Sequence, residues 1–281
     1  MVRRRPSSPS FDLFTPYDWF IPGWIDFMWV GILLIAGLIL SAGVTISLNR
    51  AGFAPIYIQL ISYPLLFIHS MLYASAMSKR NQFRIEPKPL DRSEYWKWPV
   101  ALTAVLSILS AAILCDPISQ LLPPMPESLQ EALKILSEGP LWACILCTVV
   151  FAPFFEEWLC RGIILRGLLG KMRPAWAIAL SALVFGLIHA NLWQGLPAFL
   201  LALLLGFVYY KTGSLKLTML MHAVNNLSSV LLMRLPGWDA ETTFWDLFPS
   251  KGWYFVLLAA AAGILVFCLK RISRLSGQSH L

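Results

Sequence analysis

Charge is scarce in this chain of 281 residues: 13% are charged and 58% hydrophobic, with a mean hydropathy of +0.67. A soluble domain carries about 25% charge, so the composition excludes a single globule packed in water. Intrinsic disorder is excluded by the same figures, because it needs low hydrophobicity and dense charge. Strand-like alternation with regular turn spacing is missing, which argues against a transmembrane β-barrel. An inverted internal repeat, the mark of many transporters, is also missing. Acidic residues number 15 against 22 Lys and Arg, giving a net charge of +7. Such an excess suggests nucleic acid only when it gathers on one face; here its positions follow a different rule, and no nucleic-acid partner is expected.

What the chain does have is long apolar runs. Eight stretches approach the roughly 20 residues needed to cross a bilayer: 24–48, 53–77, 98–115, 140–160, 174–190, 194–210, 216–233 and 252–269. The fifth and sixth are short and close together. Backbone groups in lipid must be satisfied within the segment, so the expected fold is an all-α polytopic bundle of about eight spans. Eight crossings place all but Arg50, Lys134, Arg234 and Lys251 of the basic residues on one side. The positive-inside rule makes that side cytoplasmic, with both termini on it, as in a multi-pass protein of a bacterial plasma membrane. The opposite loops are acidic, with Asp116, Glu127, Glu131 and Glu138 in one and Asp239, Glu241 and Asp246 in another. Arg3, Arg4 and Arg5 precede about twenty polar and aromatic residues and then a long run, a pattern expected of a retained span rather than a cleaved signal peptide. Trp19, Trp24, Trp29, Trp96, Trp98 and Trp253 fall near span ends, at the water–lipid boundary. The segment from Ser128 to Ser137 is expected to form a short amphipathic turn or two on the outer surface.

Five cysteines lie in or beside apolar runs, and Cys144-x-x-Cys147 lacks the second pair a metal site would need; they are expected to act as small apolar residues. Ionisable groups within spans are costly, so each asks for a partner or a purpose. They gather in the second half, at Glu156-Glu157…Arg161, Phe185…His189 and His222…Asn226. His69, alone in the second run, is expected to be packed or interfacial, and His280 is in the tail. Glu157 and Arg161 stand four apart on one helical face and are expected to pair. Glu156 is rotated by about 100° and cannot share that pairing equally, so desolvation would suit it to accept a proton. His222 and Asn226 also share a face, where they can donate to an oxyanion, ligate a metal or simply bond a neighbouring helix. One acid, two imidazoles and an amide on three helices make a set able to activate water and stabilise a tetrahedral intermediate.

At these residues the sequence resembles the CPBP family, the CAAX-processing and bacteriocin-processing intramembrane endopeptidases, also called Abi proteins. Its motifs Glu-Glu-x-x-x-Arg, Phe-x-x-x-His and His-x-x-x-Asn stand here in order, over about residues 140 to 235. The resemblance implies peptide-bond hydrolysis within the membrane. In it Glu156 and His189 activate water, His222 and Asn226 stabilise the oxyanion, and Glu157, Arg161 and Phe185 give structural support. The implied partner is a membrane-associated peptide or protein, such as a prenylated C-terminus or a leader or signal peptide, met at the lipid bilayer. No cofactor is expected, since His-Glu-x-x-His is absent; a zinc-dependent version would use the same four residues, Glu156, His189, His222 and Asn226, as ligands.

The expected organisation is an N-terminal transmembrane region over 1–139, a catalytic core over 140–235, and an outer loop, last span and basic tail over 236–281. Rival readings are a non-catalytic scaffold or immunity protein of the same fold, and a transporter using the same groups as a proton relay. One geometric tension stands. Counted in straight helices from the basic loops, His222 lies about 9 Å deep and His189 about 23 Å deep. The expectation is a tilted fifth run, or one that starts within the membrane beneath a cytoplasmic cavity.

Overall fold

The computed structural model describes residues 13–92 and 97–275. Arg3, Arg4, Arg5, Trp96 and His280, and with them both termini, lie outside the described residues. Among the described residues there are ten helices and no strand. They are α1 (Trp24–Arg50), α2 (Pro55–Asn81), α3 (Trp98–Ser119), α4 (Glu127–Glu138), α5 (Leu141–Leu169), α6 (Pro174–Leu187), α7 (Leu192–Thr212), α8 (Leu215–Leu232), α9 (Phe244–Leu247) and α10 (Lys251–Arg274). All eight apolar runs are helical, and α4 covers the stretch read as an amphipathic surface segment.

Six of these helices, α1, α2, α3, α5, α7 and α10, are long and apolar enough to cross a membrane, and the chain is a polytopic helical bundle. The other two apolar runs fall short of that standard. α6 has 14 residues and rises about 21 Å, against the ~30 Å of a hydrocarbon core. α8 has 18 residues but spends several on His222, Asn225 and Asn226. These two helices carry the second and third motifs, so the expectation of eight full crossings rests on the charge pattern and not on helix length.

Close backbone approach holds the bundle together, as expected where lipid removes the hydrophobic drive between helices. α1 and α2 form an antiparallel hairpin in which Gly37 lies against the α2 backbone; a Cβ there would meet Leu66 O. α6 and α7 form a second hairpin, where a Cβ on either Gly186 or Gly195 would meet the other residue's carbonyl oxygen at 2.8 Å. The turn between them is tight. Ala190 has φ 55°, and Asn191 caps α7 by accepting from Gln194 N at 2.8 Å while donating to His189 O at 2.8 Å.

Hydrogen bonds define the two ends of the bundle. At the basic end, Arg166 donates to the carbonyls of Tyr17, Asp18 and Lys88, and Lys171 Nζ donates to Pro22 O. There too Asp91 accepts from Ser214 Oγ at 2.8 Å and pairs with Lys216 at 3.4 Å. At the other end, Trp193 Nε1 donates to Pro123 O, Phe244 N to Asp116 Oδ1, and Arg234 Nη2 to Gly139 O.

Substituting Gly186→Val drives a branched side chain into the α7 backbone. It is expected to destabilise the protein by about 1–3 kcal/mol, the usual cost of overpacking. A lowered thermal midpoint of detergent-solubilised protein checks it. The reference is the same exchange at Gly263 of α10, where an added Cβ meets nothing within 4 Å.

Candidate active site

α5 is irregular where it matters. Ile145–Phe151 and Trp158–Leu165 wind as π-helix on either side of the regular stretch Ala152–Glu157. Such wide turns shift the rotational register and leave carbonyls open to outside donors, a cost that lipid does not forgive. Partner helices meet it. Ser181 Oγ of α6 donates to Cys160 O at 2.7 Å, and Asn226 Nδ2 of α8 donates to Thr148 O at 2.8 Å.

Glu157 and Arg161 are both fully buried and pair at 2.8 Å, as their spacing predicts. Arg161 also donates to Ala202 O at 3.1 Å, and its guanidinium lies 4.7 Å over the Phe185 ring. Glu157 Oε1 further contacts His222 Nδ1 at 3.0 Å. Since the acceptor is a carboxylate held by arginine, Nδ1 carries the proton and donates it. This fixes the ring so that Nε2 points to Glu156, whose Oε2 lies 3.9 Å away. The two neighbouring glutamates thus flank one imidazole, Glu157 bonded to it and Glu156 standing off.

Glu156 is buried, and its two oxygens differ. Oε1 accepts a 2.5 Å hydrogen bond from the Tyr63 hydroxyl of α2, whereas Oε2 is buried with no hydrogen-bond partner among the described residues. A lone carboxylate oxygen beside an imidazole nitrogen is the kind of group that demands an explanation. His189 follows the end of α6; its Nδ1 lies 2.9 Å from Phe185 O, and because a carbonyl only accepts, Nδ1 donates and Nε2 is left as an acceptor. Phe185 packs against both rings, its centroid 5.3 Å from His189 and 5.5 Å from His222.

Two cavities meet at His189. One, of about 220 Å³, is lined by His189, His222, Asn225, Asn226, Gln194 and Ser229 with apolar residues beneath. The other, of about 290 Å³, is lined by Tyr63, Glu156 and His189 and by apolar residues of α1 and α2 such as Leu34, Leu38 and Phe67. The depth tension from straight-helix counting is resolved in favour of convergence: both rings face one cavity. The four residues do not all line a single cavity, however. His189, His222 and Asn226 share the first, and Glu156 reaches them through the second and through its approach to His222.

Tyr63 was not legible in the sequence. It is one tyrosine in an apolar run, 93 residues from its partner, and no local spacing marks it. As to metal, among the described residues no three His, Cys, Asp or Glu side chains stand close enough to hold an ion. Of the four residues a zinc-dependent version would use, Glu156 and His222 stand 3.9 Å apart and His189, His222 and Asn226 line one cavity, and no step is routed through a metal.

The fold and site together define a multi-pass membrane protein with an acid–imidazole–amide cluster buried in its helices. Residues 138–228 match the family model described as Rce1-like, Type II CAAX prenyl endopeptidase. This match supports placing the chain in the CPBP, or CAAX protease, family, and it indicates a protease acting on a membrane-associated peptide or protein. It covers about a third of the chain. No curated protein and no solved structure matches the chain.

Glu157→Gln leaves Arg161 buried without its counter-charge. The loss is expected to be about 3–5 kcal/mol, the usual cost of breaking a buried pair, and to appear as a sharp fall in the yield of folded protein. Tyr63→Phe removes a bond to a charged oxygen, worth about 1.5–3 kcal/mol. It should lower the thermal midpoint of the detergent-solubilised protein, because Glu156 Oε1 is left buried without its donor.

Proposed function

We propose that the protein is an intramembrane endopeptidase in which Glu156 activates a water molecule to hydrolyse a peptide bond. The observation that carries this is Glu156 Oε2, a buried carboxylate oxygen without a partner among the described residues, 3.9 Å from His222 Nε2 in a membrane-spanning helix. Glu157 Oε2 also has no hydrogen-bond partner among the described residues, but that carboxylate is neutralised by Arg161 and lines neither cavity. Glu156 has no arginine paired with it among the described residues, and it lines the apolar cavity. In the proposed cycle, Glu156 takes a proton from water as the water oxygen attacks the scissile carbonyl carbon. His189 Nε2 accepts a hydrogen bond from the water's other O–H, which stays on the oxygen, and so orients the water. The carbonyl π electrons move to oxygen, and the resulting oxyanion accepts a hydrogen bond from the second Asn226 amide hydrogen, with the His222 ring held beside it by Glu157. Collapse breaks the C–N bond, and the proton held by Glu156 passes to the leaving amine. The products are a carboxylic acid and an amine, with the glutamate returned to its starting state.

The cavity beside Glu156 is walled by leucine and phenylalanine, which suits a substrate with an apolar anchor near the bond to be cut. A prenylated C-terminus and a leader or signal peptide both have that chemistry, and a bacterial plasma membrane suits either. A scaffold or immunity role is the second reading of the same fold, but it gives no reason to place Glu156, without an arginine partner, on a cavity wall beside His222.

Glu156→Gln is nearly isosteric and should abolish cleavage while folded protein persists at wild-type level. Comparative peptidomics of cells carrying the wild-type or the Glu156→Gln chain reads it, and products that survive the substitution overturn the proposal. Cleavage by purified protein is expected to withstand a strong chelator; loss restored by added zinc would establish the metal-dependent version instead.

A further inference from the structure

The residues that line the polar cavity grade along the bundle from buried to exposed. Its floor is Ile108 and Leu205, which are 0% and 2% exposed. Toward the basic end of the bundle, among the described residues, the chain packs closely in the segment around Leu90, which is fully buried. That segment is tied down by Arg92 N donating to Gly213 O, by Tyr209 Oη donating to Leu90 O, and by Asp91 with Ser214. The rim runs the other way along α7 and α8: Gln194, in the first turn of α7, is half-buried, and Ser229, near the last turn of α8, is exposed. Trp193, beside this rim, bonds Pro123 O at the end that holds the acidic loops. The side chains also grade from apolar at the floor to Asn225, Gln194 and Ser229 at the rim, the sequence expected of a passage that carries water.

We infer that water and the polar part of the substrate reach His222 and Asn226 from the end of the bundle opposite its basic loops. On the positive-inside rule that end is non-cytoplasmic. The inference deepens the proposed protease function and, in its choice of substrate, rests on it. Of the substrate classes with an apolar anchor, it selects peptides whose polar segment has already been carried across the membrane, such as an exported leader or signal peptide. A C-terminal tail displayed in the cytoplasm would meet the end where the lining is buried and apolar.

Accessibility can be read without any activity. Maleimides need a hydrated thiolate, and the five native cysteines are all buried, so background labelling is low. Ser229→Cys reports the rim, Gln194→Cys repeats the test should the first variant fold poorly, and Gln82→Cys, on an exposed position in the loop after α2, marks the basic end. A membrane-impermeant maleimide is applied to intact spheroplasts and to inside-out vesicles. The rim cysteines should label in spheroplasts about tenfold faster than in inside-out vesicles, with Gln82→Cys showing the reverse preference. Rim cysteines that label from the same side as Gln82→Cys, or from neither side, overturn the inference. A silent Glu156→Gln peptidome would instead remove the protease function and leave the measured access route standing.

Discussion

A fully buried arginine inside a membrane protein is tolerable only if its charge is met in place, and Arg161 organises the core around that requirement. Glu157 neutralises it at 2.8 Å, Ala202 O takes a second donor, and the Phe185 ring covers its face. Each of the two side chains then does something further. Glu157 orients His222, and Phe185 packs on both histidines. Removing the ion pair would therefore cost more than its own Coulomb energy, because the ring facing Glu156 is held by the same carboxylate. The net worth of such a pair, set against an apolar replacement, is small. Its value here is geometric.

The π-helical turns of α5 answer to the same need to satisfy buried polar groups. A regular helix would need no outside help with its carbonyls, but it would also present Glu156 and Glu157 at the fixed rotation that a sequence count assumes. The wide turns on either side expose Thr148 O and Cys160 O, and α8 and α6 must come close enough to satisfy them. Asn226 thereby gains a fixed orientation, one amide hydrogen committed to Thr148 and the other left for a ligand. A backbone irregularity is thus exchanged for a positioned side chain, which is how π-bulges come to sit at functional sites.

The helices were legible because lipid imposes one simple demand, roughly 20 apolar residues per span, and the eight runs meet or approach it. The Glu157–Arg161 pair was legible for a similar reason, being local and set by the period of one helix. Depth was not legible. Counting 1.5 Å per residue from the basic loops set His189 and His222 about 14 Å apart, because the count takes every helix as straight and normal to the membrane. A short α6, a tight turn at Ala190 and π turns in α5 break that assumption, and both rings line one cavity. Tyr63 was beyond reach for another reason. Its contact with Glu156 is a matter of how α2 packs on α5, and no single-helix periodicity encodes it.

His189 sits between an apolar cavity that holds Glu156 and a polar one that holds His222 and Asn226. The proposed hydrolysis would need both environments at once, a dry wall to receive an apolar chain and a wet one to supply the nucleophile. Were both wet, Glu156 would be solvated by many waters; were both dry, the proposed reaction would have no water to draw on. A histidine on the boundary can reach water with Nε2 while its Nδ1 is anchored to the Phe185 carbonyl. The anchor matters because a ring free to flip would present a donor as often as an acceptor. The turn that follows α6, with Ala190 held in the left-handed region, is where the chain accepts backbone strain, and it does so next to a side chain that faces both cavities.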